Sequence, residues 1–167
     1  MKRRDFIKDF AYTGIGLAIP SYLSSCSNLF DHAGTAREYK AEIVIVGGGL
    51  GACAAALSAC KQGASVIMTE PTDWIGGQVS QQGVPHDEHQ RIESFGRTEN
   101  YARFRTLIRD YYSKNYRLSN TALQSEYLNP GNCMVSRLCH EPKVALAVLQ
   151  SMLEPFIASG NLRLFLN

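Results

Sequence analysis

An apolar tetrad, Ile43-Val44-Ile45-Val46, runs directly into Gly47-Gly48-Gly49-Leu50-Gly51-Ala52 and then into an alanine-rich stretch. The order reads as a buried strand, a glycine turn and a helix. Gly47 lets the chain turn sharply off the strand, where a Cβ would clash. Gly49 lets backbone approach a ligand, so that the first N–H groups of the helix, which have no partner within it, face outward. Ala52 is the third small residue and lets the helix lie close on the strand. The spacing is the G-x-G-x-x-A form of the fingerprint that holds a dinucleotide pyrophosphate at a helix N-terminus.

The following residues fit that frame. Ala54-Ala55-Ala56-Leu57-Ser58-Ala59 are good helix formers with a small-residue face, and Gly63 is placed to end the helix in the left-handed conformation. Ala64 to Thr69 reads as a second buried strand and leads to Glu70. A carboxylate about twenty residues past the turn is where the fingerprint places its acceptor for ribose hydroxyls. Its negative charge disfavours a cofactor with a 2′-phosphate.

A second glycine segment, Trp74-Ile75-Gly76-Gly77-Gln78-Val79-Ser80-Gln81-Gln82-Gly83-Val84, separates FAD from NAD. It resembles the second glycine motif of FAD-dependent oxidoreductases related to fumarate reductase. Two further stretches, Gly83 to His89 and Ser136 to Pro142, are similar to a group of bacterial FAD-dependent oxidoreductases, and the likeness covers roughly residues 41 to 167. It implies an α/β, Rossmann-like FAD/NAD(P)-binding domain. The parallel sheet is expected in the order 3-2-1 for the part present, and it would be incomplete because the chain stops after its third strand, Asn161 to Leu166. It also implies that Gly47, Gly48, Gly49, Leu50, Gly51 and Ala52 meet the pyrophosphate region and Glu70 the ribose. Gly76, Gly77, Gln78, Gln82 and Gly83 would line the flavin side. An NAD-dependent dehydrogenase and a truncated, non-catalytic nucleotide-binding surface lipoprotein are the alternatives.

The N-terminus reads as an address. Lys2-Arg3-Arg4-Asp5-Phe6-Ile7-Lys8 resembles a twin-arginine export signal, and Ala11 to Ile19 is an apolar core too short to span a bilayer. Leu23-Ser24-Ser25-Cys26 resembles a lipobox, with Cys26 as the lipid attachment site. The expected organisation is a signal peptide over 1–25, a tether over 26–40 and the FAD-binding portion over 41–167. The protein would then be exported and held at a periplasmic or cell-envelope membrane by its lipid alone.

With 17 basic and 15 acidic residues, the net charge of +2 gives no footprint for nucleic acid. Arg103, Arg105 and Arg109 alternate with apolar residues at helical spacing between Glu99 and Lys114, and read as the solvated side of an amphipathic helix. Pro142 starts a last helix, which Pro155 is expected to kink or restart and Gly160 to close. The residues between the second strand and this last helix are irregular around the Glu99 helix, and are expected to cover the flavin. Cys53 and Cys60 read as small core residues. Cys133 and Cys139 are read as free thiols in preference to a disulfide. Candidates for acid–base work on a small-molecule substrate are His86, His89 and His140, with a solvated loop tip as the alternative for the first two, and capping or packing for His140. No metal site is expected.

Overall fold

The computed structural model describes residues 37–167, so the export signal and Cys26 lie outside the described residues. Contacts group Lys40–Asn167 as one unit. It contains β1 (Ile43–Val46), α1 (Leu50–Lys61), β2 (Val66–Glu70), a 3-10 turn (Gly77–Val79), α2 (Glu99–Asn115), the short α3 (Asn120–Leu123), α4 (Pro142–Ala158) and β3 (Leu162–Leu166). The strands form one sheet in the order β1-β2-β3. All pairs are parallel, with Ile45 opposite Met68 and Met68 opposite Leu164. Parallel pairing requires a crossover for each connection, supplied by α1 and α4.

The core lies between the sheet and the helices. Cys53, Ala56 and Leu57 of α1 join Met68 of β2, Ile108 of α2 and Val144, Leu149 and Leu153 of α4. Burial of each large aliphatic chain contributes about 1.5–3 kcal/mol. Cys53 and Cys60 are buried free thiols, as the sequence led us to expect. Gly63 follows α1 with φ +87° and Gly160 follows α4 with φ +81°, the left-handed conformation that closes a helix.

Four expectations need correction. β1 is not buried: Val44 is 59% and Val46 87% exposed, because the strand forms an edge of the sheet and these side chains point away from the helices. Pro155 does not start a new helix: α4 continues through it to Ala158. It sits in the last turn, where only the carbonyl four residues back loses its donor. Arg105 is not on a solvated face but 1% exposed, drawn inward by Glu88 and Glu93. Cys133 and Cys139 are joined by a disulfide, not free; the turn at Asn129 brings them together by accepting the Cys139 N–H on its side chain.

Candidate functional site

The two glycine segments meet. Gly47 turns the chain off β1 with φ +99°. Gly49 then caps α1 with no side-chain hydrogen bond, and the first turn of that helix carries no acidic residue. Space for a Cβ at Gly49 or Gly51 is open, whereas Ala52 packs against the core. A helix opening with uncapped N–H groups and open room above its glycines suits an anionic group, through both the unpaired donors and the helix dipole.

Gly76 and Gly77 lie directly beside this turn. Gly76 donates its N–H to the Gly48 carbonyl at 2.7 Å, and Gly49 and Gly76 form an isolated parallel bridge. Gly76 has φ +106°. A Cβ there would stand 2.7 Å from both Leu149 Cδ1 and Ser80 Oγ, and one on Gly77 would stand 3.2 Å from the Gly49 Cα. Both glycines are therefore required by close approach as well as by backbone conformation. The segment continues through Gln78, whose Nε2 donates to the Pro85 carbonyl at 3.2 Å, to Gln82 and to Gly83 with φ +63°. Gln78, Gln82 and Gly83 are exposed, forming an open wall beside the buried Gly76.

Glu70 closes the third side. Its Oε2 accepts the Gly48 N–H at 2.8 Å, while its Oε1 accepts the Thr72 N–H at 3.0 Å and the Thr72 hydroxyl at 2.8 Å. Gly48, the middle glycine, has its own reason to lack a side chain: a Cβ would lie 2.7 Å from Glu70 Oε2. A carboxylate held in this way keeps lone pairs for further donors, since two oxygens offer about four acceptor positions. Cys53 lies beneath the turn, and burial pushes its thiol up to about 12, so it is inert filling.

The histidine candidates separate. His86 and His140 are in contact through their Nε2 atoms at 2.9 Å, and His86 Nδ1 lies 2.8 Å from the Tyr101 hydroxyl. His86 is 3% exposed, which removes the solvated-tip reading for it. Burial first, and then His140 and Arg105, push its imidazole down to about 3. Burial also holds His140 below the ordinary range, although the Glu141 carbonyl and Glu88 pull the other way. His89 turns to its own loop, where Nδ1 accepts the Arg91 N–H at 3.2 Å and the ring lies against Phe95.

Sequence reasoning missed the charged layer behind these rings. Tyr101 donates to Glu88, Arg105 bridges Glu88 and Glu93, and Arg109 joins Glu93. Burial and Glu88 hold the Tyr101 phenol above its ordinary range. Burial alone would raise the Glu93 carboxyl, but Arg105 and Arg109 overcome that and hold it low. The signal available was weak: Arg105 lies on the same stripe of α2 as Tyr101, Ile108 and Tyr112, where a solvated arginine is out of place.

No curated protein matches the chain at a significant level. Residues 42–167 match the family described as FAD dependent oxidoreductase, which spans the glycine turn, Glu70, the second glycine segment and the histidine pair. The open helix terminus, the clearance at the glycines and the adjacent carboxylate fit the cofactor this family binds, and the chain belongs to the FAD-dependent oxidoreductases.

Proposed function

We propose that FAD lies with its pyrophosphate over the start of α1, at Gly47 to Ala52, its adenosine ribose on Glu70 and its flavin along Gly76, Gly77, Gln78, Gln82 and Gly83. The convergence of Gly48, Glu70 and Gly76 within hydrogen-bond distance carries this reading. Bound flavin would supply the hydride or electron chemistry. The chain's own residues position the cofactor, and proton handling for a small-molecule substrate on the flavin side falls to His140, the half-buried member of the pair, with the sealed His86 against it. His89 is held by its own loop and contributes least.

The sheet order β1-β2-β3, read from its far edge, is one half of a Rossmann-type sheet, with β1 the edge on which such a sheet continues. The likeness of the Gly76 segment to the fumarate-reductase-related enzymes supports that subtype. The order of Arg3-Arg4, the apolar core and Leu23-Ser24-Ser25-Cys26 supports twin-arginine export, cleavage before Cys26 and lipid anchoring at the cell envelope. Export in a folded state suits a protein that takes up its flavin while folding in the cytoplasm. None of the described helices is long and apolar enough to cross a membrane.

Glu70→Gln tests the assignment. It keeps an acceptor for the Gly48 N–H but presents a donor where the ribose would bind. FAD affinity, measured by fluorescence titration, is expected to fall about tenfold, the loss of one charge-assisted hydrogen bond. Unchanged affinity with unchanged folding would overturn the ribose role.

A further inference from the structure

Cys133 and Cys139 close a small ring with a fixed base and a free tip. At the base, Leu138 is buried in the core and the Ser136 hydroxyl donates to Glu88 Oε2 at 3.4 Å. At the tip, Met134 is 99% and Val135 75% exposed. These two apolar side chains add nothing to the protein's own core, yet the cross-link holds them out in solvent.

The bridge can be approached from one side. Cys133 is half-buried and lines a cleft of about 560 Å³, whose wall also carries Met134, Val135, Ser136 and Arg137. Cys139 is buried. A thiolate entering the cleft therefore meets the Cys133 sulfur first, and the permanent charge of Arg137 favours its approach.

Hydrogen bonds hold the ring closed alongside the bridge. Asn129 accepts the Cys139 N–H on Oδ1 at 2.6 Å, and its Nδ2 donates to the Cys133 and Ser136 carbonyls, both at 3.2 Å. Gly131 donates its N–H to the Cys139 carbonyl at 2.8 Å. The Ser136 carbonyl oxygen lies 3.8 Å from the Cys133 sulfur and 4.0 Å from the Cys139 sulfur. A disulfide has no hydrogen to give that oxygen, whereas thiols do. Reduced, the cysteines stay side by side with a shared acceptor, so the bridge can form again.

We propose that Cys133–Cys139 is a thiol–disulfide exchange site for a protein dithiol, which docks on Met134 and Val135 and attacks at Cys133. The partner's thiolate forms a bond to Cys133 Sγ. The bond between Cys133 and Cys139 breaks, and its electron pair leaves on Cys139, which takes up a proton. The partner's second thiol loses its proton and attacks the partner sulfur of the mixed disulfide, releasing Cys133, which is protonated in turn. The chain's disulfide is thereby reduced to two thiols, and the partner's dithiol is oxidised to a disulfide. The reverse sequence oxidises the chain again. Neither the glycine cradle nor a flavin takes part.

The test uses the oxidised 167-residue chain, with reduced thioredoxin as the protein dithiol and dithiothreitol as the small one. Alkylation and mass spectrometry follow the thiols of Cys133 and Cys139 in folded protein. Thioredoxin is expected to open the bridge faster than dithiothreitol, with native circular dichroism retained, and diamide should restore it. Thioredoxin whose second active-site cysteine is replaced by serine should be captured on Cys133. Met134→Ser combined with Val135→Ser should slow thioredoxin about tenfold or more, the fold-change of losing one docked apolar side chain, and leave the dithiothreitol rate unchanged. A thioredoxin rate untouched by those substitutions, or slowed no more than the dithiothreitol rate, would overturn the proposal. Capture on Cys139, or a bridge that opens only in denaturant, would do so on the wild-type chain alone.

Discussion

The Oε2 of Glu70 accepts the backbone N–H of Gly48 at 2.8 Å, tying the end of β2 to the middle of the glycine turn. The contact exists only because Gly48 has no side chain. In Gly48→Ala a Cβ would lie 2.7 Å from the Glu70 Cβ and Oε2. Overpacking of this kind costs about 1–3 kcal/mol. Urea denaturation should show that loss, and FAD affinity should fall with it because the carboxylate is displaced.

Arg105 is 1% exposed and bridges Glu88 and Glu93. Replacing it with Met removes the cation and leaves the buried Glu88 without its arginine, while Arg109 still holds Glu93. A destabilisation of about 3–5 kcal/mol is expected, as for one partner removed from a buried ion pair. Arg105→Met combined with Glu88→Gln should recover part of that loss, because one uncompensated charge goes with it. Equal stability of the single and double variants would show that Glu88 is not the partner that matters.

His86 sets a pH dependence whose sign follows from its burial. The unfolded imidazole takes up a proton near 6.5, while the folded one resists until about 3. Below pH 6.5 the unfolded state therefore binds more protons, and folding stability falls as the pH drops through that window. The slope should approach about 1.4 kcal/mol per pH unit between pH 6 and 5. His86→Asn should lessen it, measured by urea midpoints at each pH, with the buried His140 ring still contributing in the same direction. A wild-type slope already flat in that range would contradict the burial of a neutral His86.

The disulfide between Cys133 and Cys139 closes a short loop, with a sequence separation of 6. Chain-entropy reasoning gives about 2 kcal/mol for so small a loop. Reduction, or Cys133→Ser, should lower the thermal midpoint accordingly. The Asn129 side chain and the Gly131 N–H both bond the backbone of Cys139, so the loss should be local. An unchanged midpoint after complete reduction would show that those backbone bonds hold the loop without the bridge.

The parts of this protein legible in its sequence are the local ones. Val46 to Ala52 can be read because strand, turn and helix each carry their pattern within a few residues, and Glu70 because its distance from the turn is set by one crossover. Gly48 was less legible: its need for a bare Cα comes from a carboxylate on the next strand. Arg105 was misread because its partners, Glu88 and Glu93, lie in an aperiodic segment whose path no local pattern fixes. The same holds for His86 and His140, far apart in sequence and brought into contact only by the fold. The exposure of Val44 and Val46 depends on what lies beside the strand, which composition does not record.

The most direct measurement is the FAD content of the purified chain, read from the flavin absorbance bands with protein concentration determined independently, after incubation with FAD and removal of excess. The expected result is one FAD per chain in the wild type, no retention of NAD, and reduced occupancy in Glu70→Gln and Gly48→Ala. Folded but colourless wild-type protein that takes up no FAD would contradict the claim that the two glycine segments and Glu70 form one cofactor cradle.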